Sequence, residues 1–266
     1  MATRQCSYCA SEGPLTREHL WPASLHRRLL NANDQQENLF WLARLNQEIK
    51  GEPTIRDVCA ECNNVRLSKL DDYICGLFDR YFVHILERNE VVIFEFDYHR
   101  LKRWLLKMCF NSARIHSSID VIAFPPLLSY INGESLTVGR SVQLYLQLSY
   151  PSEVSEDAVS GSMQPGGSFV FRPTMNRVGN LWFDVSGVGR KLLRAVHLRS
   201  FSFYLAFFKL DESRAILNDF SREFLGQLPM TELLRPSQPR IELVCNGIDA
   251  WQAFKNSRDI KFTTSE

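Results

Sequence analysis

Two short cysteine motifs carry the strongest chemical signal in this chain. "CSYC" supplies Cys6 and Cys9, and "CAEC" supplies Cys59 and Cys62. Zinc takes four ligands in a tetrahedron, about 2.3 Å from each thiolate sulfur. Two residues between thiolates let a tight turn aim both at one ion, and two such turns complete the site. A set of merely buried thiols is the weaker alternative, because Ser7, Ala60 and Glu61 do not form apolar core stretches. Structural Zn²⁺ on Cys6, Cys9, Cys59 and Cys62 is therefore the expectation. Cys75, Cys109 and Cys245 sit in apolar patterns and read as small core residues.

Between the two pairs lies "TREHLWP", which sets Glu18 and His19 side by side on what reads as a short strand. Alone, such a pair says little: it can support a zinc site from outside or stay solvated. Its surroundings say more. The second cysteine pair continues as "CNNVRLSKLDD" straight into a helical pattern, with Asn63 directly after the last Cys. A knuckle, a hairpin and a second knuckle that opens a helix describe a treble clef. On Cys6, Cys9, Glu18, His19, Pro22, Cys59, Cys62 and Asn63, this stretch resembles the HNH endonucleases, the ββα-metal nucleases, in their zinc-stapled branch. The resemblance implies phosphodiester hydrolysis. It makes His19 the base that takes a proton from water. It makes Glu18 and Asn63 the ligands of one catalytic Mg²⁺ or Mn²⁺, whose charge would relieve the phosphate.

The match has departures. The family's commoner carboxylate here is Asp, one methylene shorter than Glu18, and the position of Asn63 is often His. The residue that orients the base is not clearly placed; Asn38 is the candidate, with Asn46 behind it. Asn64, Ser68 and Asp71 belong to the pattern and read as capping and packing. The connection from His19 to Cys59 is long for the motif, so an inserted helix over "LFWLARLNQEI" is expected.

These residues need elements to hold them. From Cys62 the apolar positions Leu67, Leu70, Ile74, Leu77, Phe78 and Tyr81 recur at steps of three and four, which predicts an amphipathic helix running through "YFVHILER". "VVIFEF" reads as a strand, and "DYHRLKRWLLKMCFNSARIH" as a second helix with Asp97 as N-cap. "SVQLYLQLSY" then alternates apolar and polar residues, as a half-buried strand does. "SFVFRP", "NLWFDV", "SFSFYLAFFKL" and "RIELVC" are further strands, "ESRAILNDFSREFLGQL" a late helix, and Pro151 to Ser168 an exposed, mobile loop. The expected fold is α+β: a zinc-stapled ββα-metal (treble clef) module with a helical extension over residues 1–90, then an α+β domain with a mostly antiparallel sheet over 91–266. That second domain reads as a recognition or regulatory part.

The chain has 266 residues and a formal net charge of +1, so overall charge does not announce a nucleic-acid binder. Local basic clusters exist. Arg17, Arg27 and Arg28 flank the proposed site, and Arg66 and Lys69 lie on the helix after it; these are the candidate nucleic-acid contacts. "HRLKRWLLK" adds Arg100, Lys102, Arg103 and Lys107, and "GRKLLRAVHLR" adds Arg190, Lys191, Arg194 and Arg199; each is equally read as a solvated helical face. No apolar run approaches the roughly 20 residues of a membrane span, and no membrane partner is expected. The first residues hold no hydrophobic signal core, and thiols rather than disulfides suit a reducing cytoplasm.

Three functions follow as expectations. The first is a metal-dependent HNH endonuclease that cleaves DNA, phage-encoded or used in phage defence, with a homodimer or protein partner engaged through the C-terminal domain. The second is a catalytically silent zinc module that binds nucleic acid or protein. The third is an RNA-cleaving toxin with the same site.

Overall fold

The computed structural model describes residues 5–32, 39–42, 47–155, 167–174, 176–185 and 188–258. The chain is α+β, with mostly antiparallel sheets and six α-helices among those residues. It divides into two compact units, and neither is continuous in sequence. The first comprises residues 1–83, 96–142 and 207–210; the second comprises 84–95, 143–206 and 211–266. The expected division at residue 90 therefore does not describe the compact units. The helix that follows Asp97 belongs with the cysteine motifs, because its apolar and charged side chains pack there.

In the first unit, β1 (Leu15–His19) pairs antiparallel with β4 (Thr54–Cys59). The connection between them holds α1 (Ala23–Ala32) and an antiparallel hairpin of β2 (Leu39–Leu42) with β3 (Gln47–Lys50). The inserted helix expected over "LFWLARLNQEI" is thus a hairpin, with residues 43–46 outside the described part. A short apolar run such as Leu39–Leu42 carries no period that tells strand from helix. The insertion's helix is instead "ASLHRRLLNA", which buries Leu25, His26 and Leu29.

From Glu61 the chain is helical to Phe82. Glu61–Leu67 and Phe78–Phe82 form wide turns with i→i+5 hydrogen bonds, on either side of α2 (Ser68–Leu77). Leu67, Leu70, Ile74, Leu77 and Phe78 are buried along it as the spacing predicts. The helix ends earlier than expected, because the Leu86 N–H bonds Ser200 Oγ instead of continuing the helical ladder. In α3 (Tyr98–Ile115) the Asp97 carboxylate accepts the N–H groups of His99 and Arg100, the N-cap read from sequence. Trp104, Leu105 and Leu106 are consecutive and all fully buried, so α3 is enclosed on every side. A short helix, α4 (Leu128–Ile131), follows.

The second unit is built on β6 (Val142–Tyr150), β9 (Asn176–Val185), β10 (Gly189–Leu198) and β11 (Phe201–Phe207). Together with β12 (Glu232–Leu234) they run in the order β12-β6-β11-β10-β9, and β14 (Ile248–Asp249) adds to β6 in parallel. Helix α5 (Arg214–Gln227), capped by Ser213, lays Phe220 and Phe224 against Tyr145, Phe183 and Tyr204. β5 (Val91–Glu95) pairs with β13 (Arg240–Val244), and α6 (Ala250–Arg258) ends the described chain.

Three expectations change in this unit. β6 alternates in sequence, yet Gln147 and Ser149 are as buried as Leu146 and Leu148, so both faces are covered. Gln147 is accommodated by hydrogen bonds to Pro229 O and Tyr204 Oη. "GRKLLRAVHLR" is strand β10, not a helix. Part of the expected loop forms β7 (Ser152–Ser155) and pairs with β8 (Ser168–Phe171); residues 156–166 lie outside the described part. Among the described residues no helix is long and apolar enough to cross a membrane.

Candidate metal centre and hydrolytic site

The four cysteines of the two motifs converge. Their sulfurs all lie within 4.8 Å of one another, and among the described residues this is the one group of three or more His, Cys, Asp or Glu close enough to hold a metal ion. Cys9 Sγ and Cys59 Sγ are 3.7 Å apart. That matches one edge of a tetrahedron around an ion about 2.3 Å from each sulfur. Backbone N–H groups already point at the sulfurs: Cys59 N–H to Cys6 Sγ at 3.3 Å and Cys62 N–H to Cys59 Sγ at 3.4 Å. Hydrogen bonds from neighbouring residues outweigh partial burial and pull the Cys9 thiol down to about 6, so it is readily available as thiolate. Ala10, at φ 58°, takes the left-handed turn that closes the first motif. All seven cysteines are thiols rather than disulfides. The set fits Zn²⁺, and Cys6, Cys9, Cys59 and Cys62 would hold it.

The cysteines clamp a hairpin whose two faces differ. Adjacent strand residues point to opposite sides, and Glu18 and His19 obey this rule. Glu18 turns inward and is only 3% exposed. Its Oε1 receives Lys107 Nζ at 3.0 Å and Asn111 Nδ2 at 2.9 Å, both from α3. Lys107 also binds both oxygens of Asp71 at 2.7 Å, and Asp71 accepts Trp104 Nε1 at 3.1 Å. Burial works against the charge on Lys107, but the two carboxylates outweigh it and raise its pKa. Burial pushes Asp71 up against the pull of the same ammonium. Close by, Asn111 Oδ1 accepts Tyr8 Oη at 2.6 Å, and Arg114 binds the Asp57 carboxylate.

His19 turns outward, with 43% of its side chain exposed. Its Nδ1 lies 3.0 Å from Glu52 Oε2, and its Nε2 has no hydrogen-bond partner among the described residues. Glu52 itself is 92% buried by side chain, with 8% exposed, and its second oxygen, Oε1, is buried without a hydrogen-bond partner. Burial pushes this carboxyl up to about 8, although the Trp21 N–H and Lys107 pull the other way. Glu52 was not legible as a site residue. The signal was the hairpin register, which sets Thr54 opposite His19 and so brings the residues just before Thr54 to that end of β1. Asn38 and Asn46, the residues expected to orient His19, lie outside the described part.

Asn63 is half-buried, and its Nδ2 donates to Thr16 Oγ1 and Arg17 O, both at 2.9 Å. It therefore ties the start of the helix to β1. Of the candidate nucleic-acid contacts, Arg17, Arg27 and Lys69 are exposed. Arg28 is held by Asp79 in a bidentate pair at 2.7 and 2.9 Å, and Arg66 is paired with Glu134. The cluster in α3 is no basic surface: Lys102 and Lys107 are buried, and Arg100 lies beside Asp97. The β10 cluster is not one either. Arg194 and Arg199 are buried, and Lys191 pairs with Glu212 at 2.7 Å.

No model of a known protein family matches this chain, and neither the curated proteins nor the solved structures contain a significant match to it.

Proposed function

We propose that this protein is a zinc-stapled hydrolase of the HNH type, with its cysteine hairpin and helix read as a treble clef, that cleaves phosphodiester bonds in DNA. One observation carries the reading: an exposed His19 imidazole, backed through Nδ1 by the buried Glu52 carboxyl, at the end of a hairpin fixed by four converging cysteines. A carboxylate on Nδ1 holds the ring and leaves Nε2 to take a proton from water. The zinc holds β1 against the helix start and so fixes the base in space. Basic side chains on the same hairpin would meet the phosphate backbone. The reducing cytoplasm is the proposed compartment, in keeping with seven thiols.

A catalytic Mg²⁺ or Mn²⁺ on Glu18 and Asn63 does not fit this arrangement. Glu18 is enclosed and already neutralised by the Lys107 ammonium, while Asn63 uses its amide N–H to hold β1. The same observation favours a second reading, a silent zinc module that binds nucleic acid or protein without cutting it. Nicking of supercoiled plasmid, with Mg²⁺, Mn²⁺ and EDTA lanes, separates the two. The wild type is expected to nick, and His19→Ala to lose about 100-fold or more, the usual scale for a lost general base. Equal nicking by both would remove His19 from the chemistry, and the silent module would take its place. An RNA substrate beside the plasmid tests the toxin variant of the reading.

A further inference from the structure

The outward face of the hairpin carries more than His19. Two residues earlier on β1 stands Arg17, and the register sets Arg56 of β4 directly opposite it, as Thr54 stands opposite His19. Both arginines and Thr54 are exposed. Like charges directly opposite each other on paired strands destabilise the pair. Here nothing relieves them: among the described residues no carboxylate pairs with Arg17 or Arg56. Asp57, the acid beside Arg56 in sequence, sits at the bulge between Thr16 and Arg17 and turns to Arg114 and Ser7 instead. Arg56 is exposed and steadied: its Nε donates to Leu15 O at 2.9 Å, which holds its guanidinium against β1.

We propose that Arg17 and Arg56 form an anion clamp that holds a backbone phosphate of nucleic acid beside the bond that His19 attacks. Opposed strand residues have Cβ atoms roughly 5 Å apart, so two guanidinium groups reach one phosphate. Two residues along a strand cover roughly 7 Å, which sets the clamp one step from the imidazole. The contact reads phosphate and not base, so it predicts binding without sequence preference. The proposal rests on the nuclease reading for what His19 does, but not for the binding itself.

The test measures binding of a labelled duplex, and of the matching single-stranded RNA, by full-length zinc-loaded His19→Ala protein over a NaCl series. Adding Arg17→Gln or Arg56→Gln is expected to weaken binding and to flatten the slope of log K against log salt by about 1 each. Arg140→Gln removes the same charge from an exposed position elsewhere in the first unit and is expected to leave the slope alone. Zinc content and circular dichroism check that Arg56→Gln still folds; Arg17, which makes no side-chain hydrogen bond among the described residues, carries the test if it does not. An unchanged slope with both substitutions, an equal change with Arg140→Gln, or no measurable binding of either nucleic acid overturns the clamp. If the slopes stay fixed while His19→Ala abolishes nicking, the clamp is wrong and the nuclease reading stands. If the slopes flatten while His19→Ala nicks like wild type, the clamp stands and the catalytic reading falls.

Discussion

The two faces of the hairpin treat charge in opposite ways. On the inner face Glu18, Lys107 and Asp71 satisfy one another, with Asn111 and Trp104 completing the network. On the outer face Arg17 faces Arg56, and Glu52 keeps a buried oxygen without a partner behind His19. Buried charge that is fully paired serves the fold, while charge left unpaired at a surface calls for something from outside. By this comparison the inner face is a structural joint and the outer face is where a ligand would come. On the proposed reading the adjacent residues Glu18 and His19 would do different jobs, although in sequence they look like one motif.

The largest expected effect tests what both faces share. Removing zinc with a strong chelator, or by Cys59→Ser, leaves the hairpin and the start of the helix without their common anchor. A small metal site contributes its binding energy to folding, so the first unit should lose its cooperative melting and become protease-sensitive. Atomic analysis should find one zinc per chain in the wild type. A purified protein without zinc that melts as before would show that α3 packing alone holds the hairpin, and both faces would need another account.

Next in size is the inner face. Lys107→Met removes the one cation between Glu18 and Asp71 and leaves two buried carboxylates. Breaking such a pair costs about 3–5 kcal/mol, read as a fall in the denaturant midpoint. Glu18→Gln should cost less, because Lys107 keeps Asp71 and Asn111 keeps a partner. The sharper contrast is in function. If Glu18 belongs to the joint, Glu18→Gln should lower stability and nick plasmid at nearly the wild-type rate once folded. A fold-neutral Glu18→Gln that cannot nick would instead make Glu18 a working residue and undo the distinction between the faces.

The sequence reading succeeded where the signal was local. The cysteine spacing announces a metal site because two residues between thiolates is itself the geometric requirement. The α3 cap at Asp97 and the helix from Glu61 were legible for the same reason: cap and period lie within a few residues. What was not legible depended on distant partners. Nothing near Glu18 in sequence announces that Lys107 and Asn111 meet its carboxylate from α3. Lys102 and Lys107 look like a basic face, although "WLLKMCF" is apolar on both sides of Lys107 and so places it in the core. β6 looks half-buried because alternation does not tell solvent from a polar residue with a buried hydrogen bond. Glu52 stands before Pro53 in a stretch with no motif at all, and only strand register brings it to His19.

The smallest expected effect concerns Glu52, and it has two readouts of known sign. Burial holds its carboxyl at about 8 against a usual 4.5. Between those values the folded chain keeps a proton that the unfolded chain has released. Stability should therefore fall as pH rises through this window and level off above it. Glu52→Gln removes the group that titrates, so its melting temperature relative to wild type should rise from pH 6 to pH 8. The same proton controls the base. While Glu52 is protonated it donates to Nδ1, and the neutral imidazole must carry its own hydrogen on Nε2, facing the substrate. Once Glu52 ionises, Nδ1–H donates to it and Nε2 becomes the acceptor. Nicking should then rise with pH through a midpoint near 8 to a plateau above it, and Glu52→Gln should lower the plateau by about 10-fold or more and flatten the rise. A relative melting temperature that moves as predicted beside an unchanged pH–rate profile would leave Glu52 a buried acid of the fold and no part of the outer face.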